Sequence, residues 1–322
     1  MGFGSFDFIC SNAALPLCLL VDINPNGDVL VQQAEMLAQC YSRTIELANT
    51  VIFQTGNAFI SIGALIMVGI MILNIKSKYT AVGRLEMLSF FYMYGLLTFL
   101  SLCVDSGVIP TNSSSYPYFV ALQAGFSSGV CWCLMLTGFV GFQLYEDGTR
   151  KSIYTLWLSS ILYGAITFII ALVTFKNWGG YLINSRNTTA LFVVLYMINI
   201  ILCVIYVISQ IILVLFTIDS KWPLGVIILG SFFFVVGQVL LYAFSSTLCE
   251  RMKHYLDGLF FATLCNLLAV MMIYKLWDSI TAEDLEFSVA NKENMWDVRQ
   301  QLESNRPFMD SIPYADSVEY QH

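Results

Sequence analysis

The sequence predicts an all-α membrane protein, a bundle of seven transmembrane helices with its N-terminus in a lumen and its C-terminus in the cytosol. Hydrophobic residues make up 57% of the 322-residue chain and charged residues 11%, whereas soluble domains carry about 25% charged residues. Seven apolar stretches approach or exceed the ~20 residues that a helix needs to cross a bilayer. The basic residues between these stretches favour one orientation, because Lys-rich and Arg-rich loops stay in the cytosol.

The seven predicted spans divide the chain into three parts. The spans are Val51–Ile75, Leu85–Val104, Tyr118–Leu144, Ile153–Phe175, Ala190–Ile218, Pro223–Phe244 and Gly258–Trp277. We expect a lumenal segment at 1–49, a seven-helix domain at 50–277 and an acidic cytosolic tail at 278–322 whose distal part is disordered. The tail holds ten of the 22 carboxylates and three of the 15 basic residues. The rest of the chain holds twelve of each, so the net charge of −7 lies in the tail.

The loops carry two signals of orientation. The predicted cytosolic loops and the end of the last span carry seven basic residues, Lys76, Lys78, Arg84, Arg150, Lys151, Lys221 and Lys275. The loops between spans on the opposite side carry four, Lys176, Arg186, Arg251 and Lys253. The two sequons, Asn112-Ser-Ser and Asn187-Thr-Thr, fall in loops of this second side, where N-glycosylation takes place. Both asparagines are therefore candidate glycosylation sites.

The cysteines near the predicted lumenal side suggest disulfide bonding. Four cysteines allow three pairings, and an oxidising compartment favours at least one bond among Cys10, Cys18, Cys40 and Cys249. We expect Cys249 to pair with a cysteine of the N-terminal segment, with Cys40 as the first candidate. Free thiols packed as small hydrophobic side chains are the alternative.

The residues offer little support for an enzyme. A catalytic zinc site takes three protein ligands, and the only histidines are His254 and the final His322. No phosphate-binding or dinucleotide-binding glycine motif is present, and the candidate carboxylates, Asp105 and Asp257, lie at predicted span ends. We expect no catalytic residues, no cofactor and no metal. A basic face for nucleic acid is also absent from the sequence.

Small and amide residues in the spans predict close helix packing. Gly125-x-x-x-Gly129 in the third span, and Gly230 and Gly237 on one face of the sixth, allow helix backbones to approach closely. Amide side chains in spans bond across helices, and span interiors contain Asn199, Gln210, Gln238 and Asn266. Such residues serve either internal packing or contact with another membrane protein, and amides also line transport paths.

A short charged stretch, Lys253-His254-Tyr255-Leu256-Asp257, precedes the seventh span. Lys253 reaches toward the headgroups, and a carboxylate near a helix N-terminus is favoured by the macrodipole. We interpret the stretch as the start of span seven, with contact to another protein as the alternative role of Asp257.

The tail contains an acidic cluster soon after the last span. Asp284-x-Glu286 resembles a diacidic signal that vesicle coats bind, so these residues are a candidate export signal or partner contact. The alternative is a solvated helix start in which Thr281 is the N-cap and Asp284 is at position N3.

Seven stretches are similar to one known family. They are FICSNAALPLC, CYSRTIELANTVIFQTGNAFISIGAL, KYTAVGR, SSSYPYFVALQ, GFQLYEDGTRKS, FFFVVGQVLLYAFSSTLCERMKHYLDGLFF and YKLWDSITAEDLEF. The chain thus resembles the fungal chitin synthase export chaperones over most of its length. The resemblance implies a non-enzymatic, multi-span protein of the endoplasmic reticulum membrane. It further implies a role in the folding and export of a chitin synthase to the cell surface, and hence in cell wall chitin synthesis.

The implied partners follow from that role. Chitin synthase is the multi-span membrane client, and vesicle coat proteins and self-association are further candidates. The alternative function with the same architecture is a seven-span exporter that translocates lipid.

Overall fold

Seven long helices dominate the fold of this computed structural model. It describes residues 4, 6–21, 40, 42–47, 50–79, 81–142, 148–180, 183–217 and 221–304, without side-chain detail at 46–51 and 282–304. Among these residues, seven helices are long and apolar enough to cross a membrane. They are α2 Thr55–Ser77, α3 Arg84–Asp105, α4 Tyr116–Val140, α5 Arg150–Phe175, α6 Thr189–Phe216, α7 Trp222–Tyr242 and the first part of α9 Gly258–Ser304. The prediction of a seven-helix membrane protein is confirmed at this level.

Short elements lie at the end of the bundle where α2 begins, which we call the N-terminal end. They are helix α1 Asp7–Asn12, a 3-10 turn Pro16–Leu19, strands β1 Ile45–Leu47 and β2 Thr50–Ile52, and helix α8 Ser245–Arg251. The strands form an antiparallel hairpin that pairs Ile45 with Ile52. The predicted start of span one at Val51 is therefore wrong. β-branched residues favour strand here, and α2 begins at Thr55.

The ends of two other predicted spans also differ. The third span was expected to reach Leu144, but α4 ends at Val140 and 143–147 lie outside the described residues. The seventh span was expected to end at Trp277, but the helix continues to Ser304. Thr281 therefore lies inside a helix, and its interpretation as an N-cap is wrong. No glycine or proline interrupts the sequence from Trp277 to Ser304, so no strong helix breaker ends the helix with the apolar segment.

Helices α4 and α5 pack backbone against backbone. A Cβ atom added to Gly125 would lie 2.8 Å from the carbonyl oxygen of Gly164, and one added to Gly164 would lie 2.9 Å from that of Gly125. At Gly129 the added atom would be 3.2 Å from the carbonyl oxygen of Ser160. Small residues in both helices therefore allow backbone-to-backbone packing.

Helix α6 contains a π-helical stretch, Val193–Ile198. The hydroxyl of Tyr163 in α5 lies 3.4 Å from the carbonyl oxygen of Val194 and 3.2 Å from Oδ1 of Asn199. Nδ2 of Asn199 donates to Oγ of Ser128 in α4 at 3.1 Å. Side chains from two neighbouring helices thus contact this stretch, Tyr163 through the backbone carbonyl of Val194 and Ser128 through the side chain of Asn199 at its end.

A buried glutamate ties two helices together at the opposite end of the bundle. Glu86 in α3 is 1% exposed, and its Oε1 accepts hydrogen bonds from the backbone N–H of Gly148 and from Oγ of Ser152, both at 2.9 Å. These donors lie at the start of α5, where the helix dipole favours a negative charge. Glu86 therefore fixes the start of α5 against α3.

Candidate functional site

The N-terminal segment is attached to the rest of the chain by a cluster that we call the N-terminal junction. It consists of Cys40, Ser42, Arg43, Cys249, His254 and Asp257. A disulfide joins Cys40 to Cys249 in α8, with 6.0 Å between their Cα atoms, and a second disulfide joins Cys10 to Cys18. The two bonds differ in sequence separation. The first joins cysteines 209 residues apart, and the second joins cysteines 8 residues apart.

The N-terminal segment also covers the N-terminal end of the bundle through apolar packing. Phe6 is 1% exposed and makes edge-to-face contacts with Phe192 and Tyr196 of α6. The hydroxyl of Tyr116 in α4 donates to the carbonyl oxygen of Pro16 at 3.2 Å. Residues 6–21 are therefore part of the folded core.

His254 lies directly beside the Cys40–Cys249 disulfide. Its Nδ1 atom is 3.1 Å from Sγ of Cys40 and 3.8 Å from Sγ of Cys249. The backbone N–H of Arg43 donates to the carbonyl oxygen of His254 at 2.8 Å. The Arg43 guanidinium is 4.5 Å from the ring centroid of Tyr255, a cation–π contact. One stretch of the N-terminal segment thus contacts the loop ahead of α9 through three groups, the Cys40 sulfur, the Arg43 backbone N–H and the Arg43 guanidinium.

Asp257 caps the N-terminus of α9. Its Oδ1 accepts a hydrogen bond from the backbone N–H of Phe260 at 3.1 Å, and Oγ of Ser42 lies 3.5 Å from Oδ2. The residue is 2% exposed. Burial raises the pKa of Asp257 above its ordinary value, and the hydrogen bonds from Phe260 and Ser42 oppose this shift. The geometry agrees with a helix start that also holds the N-terminal segment.

Asp257→Asn should become progressively more stable than the wild type as pH rises. An acid whose pKa is raised in the folded state stabilises it below the unfolded pKa of about 3.9, and this contribution is lost as pH rises toward the folded pKa. Asparagine caps a helix as well as aspartate and carries no charge. Thermal unfolding in detergent between pH 4 and pH 8 measures the difference.

Asp257→Ala is the control for the cap, since it also carries no charge and lacks the capping hydrogen bond, so it should lie about 1 kcal/mol below Asp257→Asn at all pH values. A constant difference between Asp257→Asn and the wild type across the range would contradict the assigned pKa direction.

A second polar network lies in the same end of the bundle. Nδ2 of Asn57 in α2 donates to Oδ2 of Asp105 in α3 at 3.0 Å, and Oγ1 of Thr263 in α9 donates to Oδ1 of Asn57 at 2.9 Å. Asn57 is 1% exposed. Three helices are therefore joined by one amide, and none of its partners is close to it in sequence.

The small and amide residues predicted to pack do lie between helices. A Cβ atom added to Gly230 would lie 3.0 Å from Cβ of Met272, and one added to Gly237 would lie 2.8 Å from Cβ of Cys265. Both of these α7 residues therefore face α9. Nε2 of Gln238 lies 3.3 Å from Oδ1 of Asn266. Nε2 of Gln210 in α6 donates to the carbonyl oxygen of Gly138 in α4 at 3.0 Å. The amides of the spans thus bond across helices.

The remaining candidate residues lie apart from the junction. Asn112 and Asn187 are exposed, and their loops are at the N-terminal end of the bundle. Oγ1 of Thr189 bonds Oδ1 of Asn187 at 3.1 Å within the sequon. Asp284 and Glu286 belong to α9, but their side chains are outside the described part of the chain.

Sequence reasoning missed several residues that hold distant parts of the fold together. Ser42, Asn57, Thr263, Gly164 and Glu86 each contact an element far away in the chain. Ser160-x-x-x-Gly164 is a small-xxx-small pattern, so it was a usable signal for close packing in α5. The polar residues carried no such local signal.

Comparison with known proteins identifies the family. The profile described as chitin synthase export chaperone matches residues 2–291. A chitin synthase export chaperone of Aspergillus oryzae is 55% identical over 302 residues, covering 94% of this chain and 90% of the relative. The protein of that name from Fusarium oxysporum f. sp. lycopersici is 53% identical over 324 residues, covering 99% and 95%. No solved structure matches the chain. The chain belongs to the chitin synthase export chaperone family.

Proposed function

We propose that this protein is a chaperone of the endoplasmic reticulum membrane that assists a chitin synthase to fold and leave for the cell surface. The observation that carries the proposal is identity of 53–55% over 94% of the chain with relatives that bear this name. The identity extends over seven membrane-spanning helices and not over a soluble module. It favours the chaperone over a lipid-translocating exporter.

The client interaction would use outward faces of the bundle. A multi-span client exposes small and polar residues until its own helices assemble, and lipid cannot satisfy the polar groups. Gly125, Gly129, Gly230 and Gly237 are occupied by internal packing. Three other helical glycines, Gly63 and Gly69 in α2 and Gly225 in α7, have open space where a Cβ atom would stand. Client helices are able to approach the backbone at such positions.

Deletion of this protein is expected to retain the client chitin synthase in the endoplasmic reticulum and to lower cell wall chitin. A chaperone that supplies transient contacts is needed before export and not for the client's catalysis. Microscopy of the tagged client in the deletion strain, together with wall chitin measurement, tests this. An unrelated multi-span plasma membrane protein is the control and should travel normally. Normal delivery of the client would refute the proposal.

The orientation that we propose has the N-terminus in the lumen and the C-terminus in the cytosol. The excess of basic residues in the loops opposite the sequons supports it, as does the location of both disulfides at the end that carries the sequons. Protease treatment of sealed microsomes should remove a tag at the C-terminus and leave the Cys40–Cys249 region intact. A protected tag would show that the orientation is reversed.

Contacts with a vesicle coat through Asp284 and Glu286, and self-association, remain predictions from the sequence. The acidic pair belongs to a helix that extends beyond the apolar segment of α9. Carboxylates there would suit a basic surface on a coat protein or on the client.

A further inference from the structure

The Cys40–Cys249 disulfide has a third metal-binding side chain beside it. The Sγ atoms of both cysteines and Nδ1 of His254 lie within 4.8 Å of one another. Among the described residues, these are the three neighbouring side chains of His, Cys, Asp or Glu that are close enough together to hold a metal ion. Two thiolates and one imidazole are ligands that zinc accepts, with a water molecule as the fourth ligand.

We propose that Cys40, Cys249 and His254 bind one zinc ion when the two cysteines are in the dithiol form. Zinc–sulfur and zinc–nitrogen bonds of about 2.3 and 2.0 Å place tetrahedral sulfur and nitrogen ligands about 3.5 Å apart. The observed distances from Nδ1 of His254 to the two sulfurs, 3.1 and 3.8 Å, lie on either side of this value. The two sulfurs are bonded to each other in the disulfide, so they must move apart in the dithiol form to bind the ion.

The backbone holds His254 in this place. Lys253 has φ of 51° and His254 has φ of 64°, a left-handed conformation that residues other than glycine seldom adopt. The backbone N–H of His254 donates to the carbonyl oxygen of Cys249 at 3.0 Å, and the N–H of Arg43 donates to the carbonyl oxygen of His254 at 2.8 Å. Two consecutive unfavourable conformations persist only where the surroundings impose them. The imidazole is therefore positioned by both chain segments that supply the cysteines.

The two sulfurs are buried and the imidazole is exposed, which suits a metal site that solvent reaches from one side. Cys249 is 0% exposed and Cys40 is 5% exposed, whereas His254 is exposed to solvent. The imidazole side therefore offers the path by which an ion enters and leaves. Water on that side completes the coordination.

The zinc-bound and disulfide forms exclude each other chemically. A newly synthesised chain carries both cysteines as thiols, and zinc binding displaces their two protons. When a disulfide-bearing oxidant reacts, the two thiolates lose two electrons and form the Cys40–Cys249 bond. The oxidant gains those electrons and takes up two protons from water to become a dithiol, and zinc is released. Zinc would thus hold the N-terminal segment to α8 before the disulfide forms.

The test is zinc binding by the full-length protein in detergent. The protein is reduced with a phosphine, freed of reductant, and titrated with Zn²⁺ against a chromophoric chelator, and Co²⁺ is used as a spectroscopic probe. The reduced wild type should bind one equivalent, with the charge-transfer bands of thiolate ligands. The oxidised protein should lack this equivalent. Absence of the equivalent from the reduced wild type overturns the proposal.

Matched variants separate this site from the other thiols, which include five free cysteines in the described residues. Cys10→Ser/Cys18→Ser should keep the zinc equivalent, and Cys40→Ser/Cys249→Ser should lose it. His254→Asn suits a left-handed backbone and should weaken binding at least as much as the loss of an outer-shell partner, about 10–100-fold. Peptide mapping of the Cys40–Cys249 bond in oxidised His254→Asn verifies its fold. Unchanged affinity in this variant, or retained zinc in Cys40→Ser/Cys249→Ser, contradicts the proposal.

Discussion

A leucine at Gly125 is expected to destabilise the bundle by about 3 kcal/mol, the upper end of the usual cost of an overpacked core. An added Cβ atom would lie 2.8 Å from the carbonyl oxygen of Gly164 and 3.1 Å from Cβ of Phe168. The first of these atoms belongs to the backbone of α5, so it cannot move aside by a change of rotamer. The two helices must separate, which also pulls Gly129 away from Ser160. Thermal unfolding of the purified protein in one detergent measures the loss.

Gly63→Leu in α2 is the matched control for this prediction. Nothing lies within 4 Å of a Cβ atom added there, and both substitutions bring the same gain in helix propensity, about 1 kcal/mol over glycine. The control should therefore be neutral or stabilising while Gly125→Leu is destabilising. Equal unfolding midpoints for the two variants would show that α4 and α5 do not pack through Gly125.

The seven helices were predictable because the bilayer limits the choices of the chain. A long apolar stretch in lipid must satisfy its backbone groups internally, so it forms a helix. The prediction failed where the chain leaves the apolar region. Val51 belongs to a hairpin and not to the first span, and α9 continues beyond Trp277. Those residues are outside the constraint of lipid, and tertiary packing and local propensity decide their structure.

Helix partners were less predictable than the helices themselves. Gly125-x-x-x-Gly129 indicates close approach by some helix, but spacing within one helix does not identify the other. The partner is α5, through Ser160 and Gly164. The same limit applies to Asn57, because its bonds to Asp105 and Thr263 join residues 48 and 206 positions away.

The cysteines of the N-terminal junction were predictable from the sequence, but the position of His254 beside them was not. The sequence indicates four cysteines on one side of the membrane, and the structure joins them as Cys10–Cys18 and Cys40–Cys249. The approach of His254 to the sulfurs depends on left-handed backbone at two non-glycine residues. No composition or periodicity signals such a conformation in advance, because it arises from the surrounding contacts.

Loss of the Cys40–Cys249 disulfide is expected to destabilise the protein more than loss of Cys10–Cys18. The Cys40–Cys249 bond joins residues 209 positions apart, and the Cys10–Cys18 bond joins residues 8 positions apart. In the chain-entropy account, a bond that closes the longer loop stabilises the folded protein by about 5 kcal/mol, and one that closes the shorter loop by about 2.5 kcal/mol. Helices that persist in the unfolded protein shorten the effective loop, so the first value is an upper bound. The larger effect should still belong to Cys40→Ser/Cys249→Ser.

The same variant should release the chain around Arg43. In the wild type this stretch is held by the disulfide, by the backbone hydrogen bond from Arg43 to His254, and by the contact of its guanidinium with Tyr255. Arg43 is exposed, so trypsin reaches it once the backbone detaches locally. We expect faster cleavage after Arg43 in Cys40→Ser/Cys249→Ser than in Cys10→Ser/Cys18→Ser. Added reductant should accelerate cleavage of the wild type and leave the first variant unchanged. Equal cleavage rates in both variants, with equal unfolding midpoints, would mean that apolar packing of the N-terminal segment holds the junction without the bond.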